Sequence, residues 1–271
     1  MQILRWFTRP AGKIAAGSML LTCFFGINLA TAQTCTQLKV TAHPDYPPFA
    51  WTSGAAIDGA LIRVMERFSR SARIPMTVEP AKNWEEAQRR AVSGDVDVII
   101  GLYRTPQREA DLSFIDRPVA TDPIAVFIRQ TDADDIDDIG DLRTLRGAAA
   151  AGESFGADFD LRIAKQLTLF RTENIAIAIK FLVDKQADYV LSGLYPGLAH
   201  LRLIGPGHGV VLTQAALIPS QPLYVAFSRK SPCLALAGTL EALIEKTTAR
   251  GDMEGLVAEA LIRWTATQPA K

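Results

Sequence analysis

"WEEAQRRAVSGDVDVIIGLYRTPQREADL", residues 84–112, is the stretch on which the fold turns. Its opening, "WEEAQRRAVSG", reads as a helix stopped by Gly94, since glycine takes the left-handed conformation that ends helices without a Cβ penalty. "VDVIIGL" (96–102) is a short apolar run of the kind a buried strand needs. Thr105 then stands where a helix cap belongs, with Pro106 at the first helical position and a further helix over "TPQREADL". Toward the N-terminus, "LKVTA" (38–42) and "MTVEP" read as strands on either side of "GALIRVMERFSRSA" (59–72), which carries Leu61, Val64, Met65 and Phe68 at helical spacing. The resulting β-α-β-α-β order implies a mainly parallel sheet with helices on its faces.

Toward the C-terminus the alternation resumes. "PIAVFIR" (123–129) is a strand and the acid-rich "TDADDIDDIGD" a solvated connector running into a short helix. "GAAAAG" and "ADYVLSG" read as strands, "FGADFDLRIAKQL" and "NIAIAIKFLVDKQ" (174–186) as helices, and two helices follow "PLYVAFSRK". Two similar α/β halves predict two lobes with a cleft between them, the usual place for a small ligand.

The first residues speak to compartment. "MQILRWFTRPAGK" holds Arg5, Arg9 and Lys13 and no acid, and is followed by the largely apolar "IAAGSMLLTCFFGINLA" and the small-residue "ATA" at 30–32. This is the pattern of a secretory signal peptide cut before Gln33, with an apolar run short of the ~20 residues a spanning helix needs. The threonine before Cys23 does not fit a lipidation site. Cleavage leaves 239 of the 271 residues, enough for two cores, and takes three of the 29 basic residues while leaving all 29 acidic ones. A net charge of about −3 excludes a polycationic stripe, and nucleic acid is not an expected partner. Two cysteines remain, Cys35 and Cys233, an even pair in an oxidising compartment. A disulfide between them is expected; two buried free thiols are the alternative.

In open α/β sheets ligands sit at the carboxyl ends of strands. Arg108 falls in the first turn of the helix capped by Thr105, where a cation is badly placed unless an anion joins it. Free N–H groups beside a guanidinium fork make a carboxylate receptor; a solvated arginine, or one paired with Glu109 or Asp111, is the bland alternative. Glu153-Ser154 after "GAAAAG" and Ser192-Gly193 after "DYVL" look like similar strand-to-helix turns, with Ser154 as a helix cap. "VTAHPDYPPFAWTSG" (40–54) sets Tyr46, Phe49 and Trp51 among three prolines, which bars a central strand and suggests exposed aromatics on a stiff loop. No His/Cys cluster has metal spacing and no cofactor is implied.

"HPDYPPFAW", "WEEAQRRAVSGDVDVIIG" and "TPQREADLSFID", in this order and spacing, resemble the extracellular solute-binding proteins of family 3, the periplasmic receptors of amino-acid ABC importers. The resemblance runs from about residue 37 to 265. It implies a bilobal clamshell of the periplasmic-binding-protein type II, two α/β lobes joined by two hinge segments near 119–123 and 219–223. Lobe 1 would comprise residues 33–120 and 222–271 and lobe 2 residues 121–221, which places Cys35 and Cys233 in one lobe. The family pattern implies that Tyr46 and Trp84 sandwich the ligand, Arg108 grips its carboxylate, and Gly101, Tyr103, Glu153 and Ser154 supply polar contacts. The implied protein is a monomer that hands a carboxylate-bearing solute to an ABC permease or a membrane receptor.

Two positions depart from the pattern. Gly193 stands where amino-acid binders place an aspartate for the α-ammonium, and His43 where an acidic residue is common. Either Glu153 takes over that role or the ligand lacks an α-amino group, because an unpaired buried ammonium is very costly. Enzymes of the cyclohexadienyl dehydratase type look similar, with His43 or Glu153 as proton-transfer groups, but no convincing catalytic set is present and an enzyme is not expected.

Overall fold

The structure, a computed structural model, describes residues 34–213 and 217–268; the leader expected over residues 1–32 lies outside them. Strand β1 (Leu38–Ala42) runs into a proline-rich turn and a small antiparallel sheet of β2 (Asp45–Tyr46), β3 (Ala50–Ser53) and β4 (Ala56–Asp58). That corrects the expectation of exposed aromatics: Tyr46, Phe49 and Trp51 are 5, 1 and 4 % exposed. Helix α1 (Ala60–Ala72) turns Leu61, Val64, Met65 and Phe68 into the core, each worth roughly 1.5–3 kcal/mol by burial.

Next come β5 (Met76–Val78), α2 (Trp84–Ser93), β6 (Val98–Tyr103) and α3 (Pro106–Asp111). Asn83 caps α2 by accepting from the Glu86 N–H, two acids occupy its first turn, and Gly94 ends it at φ +89°. Thr105 caps α3 with Pro106 behind it, as the sequence predicts. β1 lies between β5 and β6, parallel to both. Enclosed between two strands, β1 buries Leu38, Val40 and Ala42 on one face and Thr41 on the other, while Lys39 stays exposed.

After β7 (Leu112–Phe114) and β8 (Ala120–Asp122) the chain leaves this sheet and builds a second one. Its elements are β9 (Ile124–Arg129), β10 (Arg146–Ala150), α4 (Ala157–Gln166), β11 (Thr168–Thr172), α5 (Ile175–Val183), β12 (Tyr189–Gly193), α6 (Leu194–Ile204) and β13 (Val210–Leu212). The sheet order is β11-β10-β12-β9-β13. β14 (Gln221–Ser228) then returns, antiparallel to β6, completing the first sheet in the order β5-β1-β6-β14-β7 with β8 also on β14. The outgoing and returning strands pair, Gln221 opposite Asp122 and Leu223 opposite Ala120. Helices α7 (Ala237–Ala249) and α8 (Asp252–Thr267) close the first lobe by packing on α1.

Cys35 and Cys233 are disulfide-bonded, with Cα atoms 4.7 Å apart. The bond ties the start of β1 to the segment after β14, and closing so long a loop restricts the unfolded chain by about 5 kcal/mol in the chain-entropy account. β11, β13 and the length of α6 were not anticipated from the sequence. Pro196 is tolerated because it sits in the first turn of α6, and Gly197 is needed because a Cβ there would stand 2.1 Å from the Phe127 ring of β9.

Candidate functional site

Four strand ends meet where the two sheets face each other. His43 follows β1, Tyr103 ends β6, Glu153 follows β10 and Gly193 ends β12. His43 Nε2 stands 3.2 Å from Glu153 Oε1, and the Arg108 guanidinium reaches across to Gly152. The predicted residues of the two lobes are thus brought together at strand carboxyl ends.

Arg108 does not sit idle over a helix tip. Its Nε donates to Gln88 Oε1 (3.0 Å), one terminal nitrogen to the Tyr103 carbonyl (2.9 Å) and the other to the Gly152 carbonyl of the second lobe (3.2 Å). Neither Glu109 nor Asp111 is among its hydrogen-bond partners; Glu109 pairs with Arg104 instead. Burial lowers the Arg108 pKa, opposed by the charges of Glu153 and Asp160, and the guanidinium lies 5.9 Å from the Trp84 ring. A guanidinium has five N–H donors, so two remain for an incoming acceptor.

The aromatic pair is not an open slot. The His43 ring lies 5.2 Å from that of Tyr46 and 4.9 Å from that of Trp84, so the imidazole occupies the space between them. His43 Nδ1 accepts from the Asp45 N–H at 2.9 Å, which leaves a neutral ring's hydrogen on Nε2, facing Glu153 but out of line for a hydrogen bond. The Tyr46 and Tyr103 hydroxyls bond to each other at 3.0 Å. Burial and the nearby carboxylates of Asp122 and Glu153 hold both phenols well above the ordinary tyrosine range.

Three predicted residues differ from the sequence reading. Ser154 does not cap α4; Gly156 occupies the cap position, and Ser154 donates to Asp160, whose other oxygen accepts from the Phe155 N–H. Gly101 takes φ +88° beside Leu61, whose Cδ1 would lie 2.5 Å from a Cβ, a backbone and packing requirement in its own right. Gly193 is the third: a Cβ there would stand 2.1 Å from Asp122 Oδ2 and 2.4 Å from the Tyr46 hydroxyl. The place of the missing side chain is therefore occupied by Asp122, the last residue of β8, which is fully buried.

Burial pushes Asp122 up to about 7, with Glu153 adding to the rise and the Tyr46 hydroxyl and two backbone N–H groups opposing it. A second histidine–carboxylate contact also links the two lobes: His200 Nε2 of α6 lies 2.8 Å from Asp45 Oδ1. Burial raises the Asp45 pKa, but the hydrogen bond and charge of His200 outweigh it and hold the carboxyl below its usual range.

The space enclosed by His43, Tyr46, Trp84, Tyr103, Arg108 and Glu153 is about 10 Å³, room for one water at most. Larger spaces flank it, a cleft of about 1110 Å³ on the Arg108 side and one of about 230 Å³ on the Pro44 side. Among the described residues no group of three or more His, Cys, Asp and Glu side chains is arranged to hold a metal ion.

The family model of the bacterial extracellular solute-binding proteins, family 3, matches residues 38–260. The chain belongs to this family. Among solved structures, this family 3 protein is similar to the GluR0 ligand-binding core in complex with L-glutamate at 19 % identity and a TM-score of 0.69, covering 86 % of this chain and 98 % of that one. An amino acid ABC transporter substrate-binding protein from Streptococcus pneumoniae, bound to L-arginine, is 18 % identical with a TM-score of 0.71, over 84 % and 98 % of the two chains. The ancestral amino-acid-binding protein AncCDT-1, a precursor of cyclohexadienyl dehydratase, is 19 % identical with a TM-score of 0.68, over 83 % and 96 %. These likenesses establish the fold: two α/β lobes of the periplasmic-binding-protein kind. A search of the curated proteins finds no match.

Sequence reasoning missed Asp122, Gln88 and the Asp45–His200 contact. Gln88 was legible in principle, one helical turn after Trp84 on the same face of α2. Asp122 was not, because nothing in "VATDPIAVF" separates a buried aspartate from a turn residue.

Proposed function

We propose that this chain is an exported, monomeric solute-binding protein whose lobes close on a small carboxylate-bearing solute, an amino acid or related organic acid, for delivery to an ABC permease. The observation that carries the reading is Arg108: a partly buried guanidinium at a strand end, spanning both lobes, with two N–H donors left over. The carboxylate would take those donors and displace one or more of the carbonyl partners, for charge-assisted bonds of about 1.5–3 kcal/mol each. An enclosed space of about 10 Å³ admits no such guest, so binding requires the lobes to part. Strands β8 and β14, the two passages between the sheets, are the proposed hinges, with residues 33–120 and 222–271 moving against 121–221. His43 would then withdraw from Glu153, opening the space between Tyr46 and Trp84.

The test is calorimetry and thermal shift against amino acids and organic acids, together with mass spectrometry of small molecules released from purified protein by mild unfolding. Wild type is expected to gain about 2.7 kcal/mol at a ligand concentration 100 times the Kd. Arg108→Ala is expected to weaken binding at least 100-fold while its circular dichroism stays native. Unchanged affinity in that variant would place the anion elsewhere.

The buried His43–Glu153 contact favours a second reading, an enzyme that moves a proton on a bound acid. Turnover of cyclohexadienyl acids that disappears in His43→Ala would establish it; binding without turnover keeps the transport reading.

A further inference from the structure

The chain has three histidines, His43, His200 and His208, and they are not equivalent. A neutral imidazole accepts at one ring nitrogen and donates at the other, whereas a protonated one donates at both. His43 Nδ1 accepts from the Asp45 N–H at 2.9 Å, and His208 Nδ1 from the Val210 N–H at 3.0 Å. A proton added to either ring would therefore meet a backbone donor. His200 has no such obstacle. Its Nε2 lies 2.8 Å from Asp45 Oδ1, and no donor among the described residues claims its Nδ1.

His200 is buried on α6 of the second lobe and Asp45 lies on β2 of the first, so their contact crosses between the lobes. Against the effect of burial, the hydrogen bond and charge of His200, with His43 behind them, hold the Asp45 carboxyl below its ordinary range. Asp45 is therefore ionised at every pH where a histidine titrates. The other charges on the elements packed against α6 are engaged elsewhere: Lys180 of α5 with Asp184, and Arg129 of β9 with Asp132 and Asp188. Strand β12 carries no charged side chain. From α8 the Trp264 ring meets the imidazole at 6.2 Å, and Arg263 beside it is bonded to Asp58.

We propose that His200 and Asp45 form a proton-operated latch between the lobes. With a neutral ring the contact is a hydrogen bond from Nε2–H to a carboxylate; a proton taken up at Nδ1 adds the attraction of opposite charges. Opening the lobes would part the two side chains, so the closed arrangement holds that proton more tightly than the open one. By linkage, closure is favoured below the range in which an imidazole titrates, about 6–7, and the gain is lost as pH rises through it. The latch rests on the lobe motion proposed above and not on Arg108. Asp45 adjoins Tyr46 and lines the cleft of about 230 Å³ on the Pro44 side, so the latch pulls on the turn that shapes the site.

The experiment measures distances between spin labels placed by Lys82→Cys and Glu173→Cys, exposed positions on opposite lobes at that cleft, with the native disulfide intact. No solute is added, and pH runs from 5.5 to 8.5. In the otherwise wild-type mature protein the ratio of closed to open distances is expected to rise at least fivefold from the highest pH to the lowest. His200→Gln keeps a neutral donor but cannot gain a charge, and its ratio is expected to stay within about twofold. Asp45→Asn carries the same expectation and serves where His200→Gln does not fold. Asp122, pushed up to about 7 by burial, also titrates in this window, so Asp122→Asn is run alongside and is expected to keep the wild-type shift. A ratio flat with pH in wild type, a shift that survives in His200→Gln, or one that vanishes in Asp122→Asn overturns the latch. The Arg108 reading then stands or falls on the affinity of its own variant. One unchanging distance at every pH in all the proteins overturns the latch and the ligand-free lobe motion together.

Discussion

The ends of β6 and β8 place opposite charges in the same interior and treat them differently. Beyond β6, Arg108 has each of its three guanidinium nitrogens directed at an acceptor: a glutamine, a carbonyl of its own lobe and a carbonyl of the other. At the end of β8, Asp122 has one oxygen on the Tyr195 N–H and the other beside the Tyr46 hydroxyl, outside good hydrogen-bond geometry. The cation thus links the two lobes, whereas the anion is left less well paired. Burying a charge is tolerable when its hydrogen-bonding capacity is filled and costly when it is not. The first region has a partner for every guanidinium nitrogen with two N–H donors to spare, and the second is one partner short.

The largest effect that would break this contrast concerns stability and pH. An Asp122 carboxyl at about 7 in the folded protein, against 3.8 in the unfolded chain, means that the native state holds a proton the unfolded state has already lost. Stability from this group is therefore highest below about 4, declines as pH rises to about 7 and is fully lost above it, a span of about 4 kcal/mol. Asp122→Asn should be close to wild type at pH 3.5 and more stable by up to about 4 kcal/mol at pH 8, read from urea midpoints across pH. A difference that does not vary with pH would mean that Asp122 is satisfied after all.

A smaller effect tests the other side. Arg108→Lys keeps the charge but loses the planar fork that reaches three acceptors at once, and is expected to destabilise the ligand-free protein by about 3 kcal/mol. An unchanged midpoint would show that the link to Gly152 adds nothing to closure. The smallest effect sharpens the geometry at Gly193. Gly193→Ala should cost about 1–3 kcal/mol through overpacking against Asp122 Oδ2 and the Tyr46 hydroxyl. Combining it with Asp122→Ala should recover part of that loss, and strict additivity of the two would separate the positions.

Much of the scaffold was legible because it follows local rules. The Thr105-Pro106 start of α3, the Gly94 stop of α2 and the enclosed strand β1 each follow from one residue's backbone chemistry or one run's hydropathy. Short β11 was hidden because "TLFRT" leaves three of its five residues exposed and has no apolar face to announce it. At the site, Tyr46, Trp84 and Arg108 were readable through resemblance, but their partners were not. His43 meets the Trp84 ring, and Arg108 the Gly152 carbonyl, across 41 and 44 residues of chain.

By itself the sequence determined most of the strands and helices, that the chain makes two α/β lobes, and that one arginine stands in the first turn of the helix after a strand. It could do so because caps, glycine conformations and apolar periodicity act over a few residues. Only the tertiary structure decided that Gly193 is empty for the sake of Asp122, that His43 fills the aromatic gap, and that Arg108 spans both lobes. Those outcomes depend on how two sheets meet across the β8 and β14 passages. Electrostatics in a low-dielectric interior is settled by such meetings and not by neighbours along the chain.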